Sequence, residues 1–170
     1  MTSEEIILGI DPGSYVTGYG IIHLKENCWQ PLDFGAIRPP SSAKKHDRYL
    51  VIFEGTSHLI ETFRPTAIAV ETQFVYKNVQ SALKLGMACG SALIAAARYK
   101  IPVFEYTPRK IKLAVVGRGS ASKHQVQQMI QMQLKLPKPP QPIDAADALA
   151  IALCHAYHKD ISCLNSSAAR

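Results

Sequence analysis

The sequence predicts one α/β domain built on a five-stranded mixed sheet with helices on both faces. Three observations carry that prediction. Three strand-like segments open the chain with short connections, which favours an antiparallel meander. Later strand-like segments alternate with helical ones, the order expected of a sheet flanked by helices. The length, 170 residues with 47% hydrophobic content, suits one domain with a substantial core.

Residues 5–11 hold Ile6, Ile7, Leu8 and Ile10 and end in the turn-prone cluster "DPGS", so they read as a first strand. "TGYGIIHLKEN" (17–27) reads as the second strand, and "CWQPLDFGAIR" (28–38) as the third with a kink at Pro31. "RPPSSAKKHD" is a loop. From Arg48 to Phe63 the apolar residues Leu50, Val51, Phe53, Leu59, Ile60 and Phe63 share a helical face, and Pro65 stops the run. "TAIAVE" (66–71) is a short apolar strand, 81–100 a helix rich in small residues, and "IPVFEYT" (101–107) the fifth strand. Helices are expected at 108–116 and 123–135 around the loop "GRGSAS". "PKPPQP" (137–142) is a stiff connector, and Asp144–His158 a last apolar helix. The domain is expected to cover residues 1–158, with 159–170 a flexible tail.

Composition narrows the function classes. Lys and Arg outnumber Asp and Glu by 19 to 13, a formal charge of +6, which is compatible with a polyanionic partner. No uninterrupted run of 18 apolar residues occurs, which argues against a membrane-spanning helix. The acidic start "MTSEEIILGI" has no signal-peptide pattern, and a cytoplasmic location is expected. Cys28, Cys89, Cys154 and Cys163 show no metal-ligand spacing and read as free thiols of a reducing compartment. His155 and His158 share a helix face without the further ligands that zinc requires.

The acids are more informative. Strands 6–10 and 66–70 each end in a carboxylate, Asp11 and Glu71. If the strands are parallel neighbours, both acids emerge at one sheet edge, where open α/β folds place their sites. Asp144 and Asp147 lie three residues apart on one face of the last helix. Each has an ordinary explanation alone: "DPGS" is turn chemistry, and Asp144 and Asp147 suit the start of a helix. Together they ask for a cation, because two carboxylates about 5 Å apart repel by roughly 3 kcal/mol at an effective dielectric of about 20. Oxygen-only ligands favour Mg²⁺ or Mn²⁺. A pair of such ions, one activating the attacking water and one stabilising the leaving oxygen, suits phosphodiester cleavage. A basic protein with an acidic metal pocket points to a nuclease.

"GIDPGSYVTGYGII", "AVETQFVYKN", "SALKLG", "VVGRGSASKHQV" and "DAADALAIA" occur in that order and span nearly the whole chain. Together they resemble the RuvC family, the bacterial Holliday-junction resolvases. The resemblance implies a ribonuclease-H-like fold and a homodimer. It implies Mg²⁺-dependent paired nicking of four-way DNA junctions, with two ions per site, leaving ligatable 5′-phosphate and 3′-hydroxyl ends. It maps the family's four acids onto Asp11, Glu71, Asp144 and Asp147. By the same resemblance Phe74 stacks on a base, Lys112 and Lys123 stand near the scissile phosphate, and RuvA and RuvB are the branch-migration partners. Arg118, in the glycine-bearing loop between those lysines, is expected to touch backbone phosphate. Gly86 and Gly90, in "GMACG", are expected to let another backbone approach closely, either the protein's own sheet or, as the resemblance implies, the same helix of a second subunit. The chain departs from many relatives in having Cys89 in place of an arginine and Thr72 in place of a glutamine.

Rival readings stay open on residues alone. A nuclease of the same fold acting on RNA or an RNA–DNA hybrid shares the metal chemistry, and a non-catalytic junction-binding module shares the surface. The actin-like kinases also use a strand followed by Asp-x-Gly, but they need a second lobe for which 170 residues leave no room.

Overall fold

The computed structural model describes residues 5–26, 28–72 and 78–167, with side chains as far as Lys159. The element order is β1 (Ile6–Asp11), β2 (Thr17–Lys25), β3 (Cys28–Ile37), α1 (Lys45–Phe63), β4 (Ala67–Glu71), α2 (Val79–Arg98), β5 (Val103–Tyr106), α3 (Pro108–Val116), α4 (Lys123–Gln133) and α5 (Ile143–Ser167). The strands form one five-stranded sheet in the order β3-β2-β1-β4-β5. β1, β2 and β3 make the expected antiparallel meander, while β4 and β5 run parallel to β1. The expected kink at Pro31 appears as a register shift opposite Ile21 and Ile22. Proline is tolerated there because β3 is an edge strand.

Element ends follow local chemistry. α1 begins at Lys45, a turn earlier than its apolar pattern, and stops where Arg64 takes a left-handed conformation ahead of Pro65. Thr107 caps α3 by accepting from the Lys110 N–H, with Pro108 opening the helix. Ser122 and Gln125 form a reciprocal capping box at the start of α4. α5 does not end at His158 but continues to Ser167; residues 159–167 hold no proline or glycine to break it.

The two faces of the sheet carry separate cores. Leu8, Ile10, Ile21, Ile68 and Val70 pack with Leu59 and Ile60 of α1 and with Ala92, Ala95 and Ala96 of α2. On the other face Ile7, Ile22 and Ala69 pack beneath α5, with α3 and α4 completing the layer. By length and composition α2 is, after all, a helix that could cross a membrane, because small and polar residues interleave its apolar ones without lowering the average much. Core helices of water-exposed domains pass the same test, and one side of α2 is built into the core through Ala88, Ala92, Ala95 and Ala96.

α5 lies very close to the sheet because small residues face each other across the contact. A Cβ on Gly9 would come within 2.1 Å of the Ala148 carbonyl oxygen, and one on Gly18 within 2.0 Å of the Asp144 oxygen. Ala145, Ala148 and Ala152, all buried, supply the matching low surface on the helix. Gly18→Ala therefore has to push the first turn of α5 outward. We expect it to lower stability by about 1–3 kcal/mol, the usual cost of overpacking, read as a shifted urea midpoint; an unchanged midpoint would show that the contact yields freely.

Candidate active site

β1 and β4 are parallel neighbours with Ile10 opposite Val70. The next residues, Asp11 and Glu71, therefore stand side by side at the sheet edge, about 4.8 Å apart in backbone terms. Alternation along the strands puts both side chains on the α5 face, the face of Ile7 and Ala69. Asp11 pairs with Gly18 in the β1–β2 ladder, and Asp144 lies against Gly18. One helical turn along α5, Asp147 reaches the same place. Acids from β1, β4 and α5 are thereby brought to one end of the sheet, close enough to act on one another's charge.

The turn after Asp11 is closed by Thr17, a buried residue that the sequence reading passed over. Its Oγ1 accepts from the Gly13 N–H at 3.3 Å and donates to the Gly13 carbonyl at 2.9 Å. This fixes the exit of β1 and the entry of β2 around the carboxylate. Gly18 was likewise missed as a site-building residue. A short Thr-Gly after the turn was the only signal available for either.

Asp11, Glu71 and Asp147 line one open cavity of about 230 Å³ with Lys112 and Lys123, between walls formed by Pro108, Ile111, Val126, Ala150 and Ile151. Lys123 donates from Nζ to Asp147 Oδ2 at 3.0 Å. A lysine at the first position of a helix opposes the helix dipole, and this ion pair across to α5 offsets that cost. Lys112 lies along α3 on the same side. Arg118 is exposed in the loop between α3 and α4 and does not line the cavity. Phe74 lies outside the described residues. Gly86 and Gly90 sit on α2 with open space where a Cβ would be.

The electrostatics are those of crowded carboxylates. Asp11 is pushed from 3.8 up to about 7, first by burial and then by the charges of Asp147, Glu71 and Asp144, with Lys123 opposing. Glu71 is raised by burial and by Asp147, against Lys123 and Lys112. Lys123 is raised by its hydrogen bond and charge pairing with Asp147. Such a set is short of positive charge. Its donors are all carboxylate oxygens, which fit a hard divalent cation. Among the described residues no three acids, histidines or cysteines already converge as a finished ligand cluster. Lys123 sits on Asp147 Oδ2 instead, so a cation bound by Asp147 either shares the carboxylate with the ammonium or displaces it.

A family model described as "Crossover junction endodeoxyribonuclease RuvC" matches residues 7–155. The chain belongs to the RuvC family. A RuvC of Protochlamydia amoebophila is 56% identical over 156 residues, covering 92% of this chain and 93% of that one. The solved Thermus thermophilus RuvC is 34% identical with a TM-score of 0.85, covering 92% of this chain and 96% of that one. The same protein in complex with a Holliday junction substrate superposes with a TM-score of 0.88 over 93% of this chain and 96% of that one. The fold is accordingly the ribonuclease-H-like fold that the motifs implied, and its RuvC character extends from β1 through most of α5.

The raised Asp11 has a measurable consequence. Between about pH 4 and pH 7 the folded chain holds a proton that the unfolded chain has released, so stability falls as pH rises through that window. With chelator present, we expect Asp11→Asn to exceed the wild type in stability at about pH 8 by on the order of 2 kcal/mol, a figure reduced for solvent screening, and by nothing near about pH 4. Urea unfolding across that range checks it. A constant difference at every pH would show that Asp11 is not the group under strain.

Proposed function

We propose that the chain resolves four-way DNA junctions by paired, symmetric, divalent-metal-dependent nicks that leave 5′-phosphate and 3′-hydroxyl ends. The observation that carries this reading is the match of nearly the whole chain to a RuvC solved with a Holliday junction. Mg²⁺ is the natural ion in this reading, with Mn²⁺ able to replace it and two ions per site. Asp11, Glu71, Asp144 and Asp147 are the residues to hold them. Bound there, the ions supply an activated water and a stabilised leaving oxygen.

The chain's own residues do the rest. The sheet edge holds Asp11 and Glu71 on rigid strands, and α5 brings Asp144 and Asp147 to them with no loop intervening. Lys123 meets the charge that develops on the phosphate, and Lys112 faces the same cavity. The apolar walls lower the local dielectric and so strengthen both effects. Arg118, exposed in the loop between α3 and α4, takes a backbone phosphate, and Phe74 stacks on a base near the crossover, as the family resemblance implies.

Two copies are needed to cut two strands symmetrically. We read α2 as the helix that joins them. Leu83 and Ile94 are 56% and 63% exposed. With Gly86 and Gly90 between them they lie along one side, spaced three, four and four residues apart. A membrane is not needed to account for that apolar side. RuvA and RuvB as partners, and a cytoplasmic location, go with the same family reading.

The deciding assay offers a synthetic four-way junction, a linear duplex and an RNA–DNA hybrid, each with Mg²⁺ and with chelator. Symmetric metal-dependent nicks in the junction are expected; cleavage of the hybrid instead moves the substrate to RNA. Asp11→Asn should retain junction binding and lose at least about 10²-fold in cleavage rate, and wild-type nicking by it would refute the assignment. Leu83→Glu is expected to shift the chain towards monomer in sedimentation; an undisturbed dimer would place the interface elsewhere.

A further inference from the structure

The acid pocket has its lysines on one flank, the side of α3 and α4. A second basic surface stands on the other flank. β3 ends at Ile37 opposite Thr17, at the same end of the sheet as Asp11 and its partner Gly18. Arg38 therefore emerges two strands away from Asp11, about 10 Å along the edge at ordinary strand spacing. The loop that follows carries Lys44 into the start of α1 at Lys45. Arg38, Lys44 and Lys45 are exposed. Among the described residues none of them has an acidic partner within ion-pair distance, and in the first turn of α1 the His46 ring lies 3.4 Å from Asp47.

Tyr15 lies in the turn that leaves Asp11, beside this loop, and is 63% exposed. The Arg48 guanidinium lies 4.7 Å over its ring centroid. Arg48 also donates from Nε to the Ala43 carbonyl at 3.1 Å and from Nη2 to the Ser41 carbonyl at 2.7 Å. One half-buried arginine thus ties the ring to the basic loop, and both are set in place before any ligand arrives.

We propose that Tyr15, Arg38, Lys44 and Lys45 form a second DNA-contact surface, which grips the strand on the β3 side of the pocket while Tyr15 packs on a nucleotide. This rests on the junction-cleavage reading. The dimensions suit DNA, since about 10 Å of duplex axis carries about three phosphates of one strand at about 3.4 Å each, and an unpaired, more extended strand fewer. Aromatic rings set among cations are the usual means of holding a strand that has left its duplex, and stacking tolerates any base. A strand running across the sheet edge would meet Lys112 and Lys123 on one side of the acids and this surface on the other, with the bond to be cut held between them.

The test is junction affinity of the full chain in chelator, so that nothing is cut, measured over a salt series. Lys44→Ala/Lys45→Ala is expected to weaken binding and to reduce the slope of log affinity against log salt by about two. Tyr15→Ala should weaken binding by about fivefold or more with the slope unchanged, and Tyr15→Phe should keep most of the affinity. Lys25→Ala, at the opposite end of β2, removes a charge away from this surface and should leave both readings as in the wild type. If Tyr15→Ala melts at a lower temperature, the exposed lysine pair carries the test by itself. Wild-type affinity and slope in the lysine variant, or an equal loss per charge from Lys25→Ala, overturns the proposal and leaves the cleavage reading standing. A wild-type chain that does not bind the junction overturns the cleavage reading itself.

Discussion

The distance between α5 and the sheet governs this molecule. Gly9 and Gly18 on the strands and Ala145, Ala148 and Ala152 on the helix leave no side-chain layer between the two backbones. Elements packed through ordinary side chains, helix on helix or sheet on sheet, stand about 8–10 Å apart. Here the contact is close enough that the first turn of α5 touches the strand paired with β1. Asp144 and Asp147 reach Asp11 and Glu71 for that reason, although more than 70 residues separate Glu71 from Asp144 in the chain. The same contact is dry and apolar further along the helix, where Leu149 and Leu153 are fully buried. Core and site are thus two ends of one interface.

That arrangement holds like charges where water is scarce. Burial and three neighbouring acids all act on Asp11 in the same direction. A protein without a use for this would be more stable with an amide there. Lys123 supplies part of the missing positive charge, from a helix start that does not favour it, and the capping box at Ser122 keeps that helix in place regardless. Such local conflicts concentrate where chemistry is done, because a group eager for a cation is also a good ligand for one.

Charge is distributed in a complementary way around the sheet edge. The acids occupy the centre, where β1 and β4 end. Basic residues stand to either side, on α3 and α4 and on the loop into α1. The acids alone would repel a polyanion and the basic flanks would attract one, so this placement suits a polyanion laid across the edge. The +6 formal charge of the whole chain says much less than this placement, since net charge describes attraction and not register.

Much of this was legible in the residues. Alternation and apolar runs marked the strands and helices to within a few residues, because backbone periodicity is a local property. "IDPG" and "IDAAD" marked their acids as unusual, since a carboxylate directly after an apolar strand, or two on one helix face, needs an explanation within a few residues of itself. Some features were less visible. α5 outran its expected end because nothing in residues 159–167 forbids a helix, and α1 began early for the same permissive reason. Thr17 and Gly18 were passed over because their importance lies in what crosses above them. The sequence by itself determined the elements, the acids and the family. Only the tertiary structure decided that Lys123 would sit on Asp147, that Arg48 would hold Tyr15 against the basic loop, and that Gly18 would seat α5. Each of those depends on a contact between residues distant in the chain, and such contacts exist only once helices and sheet have packed.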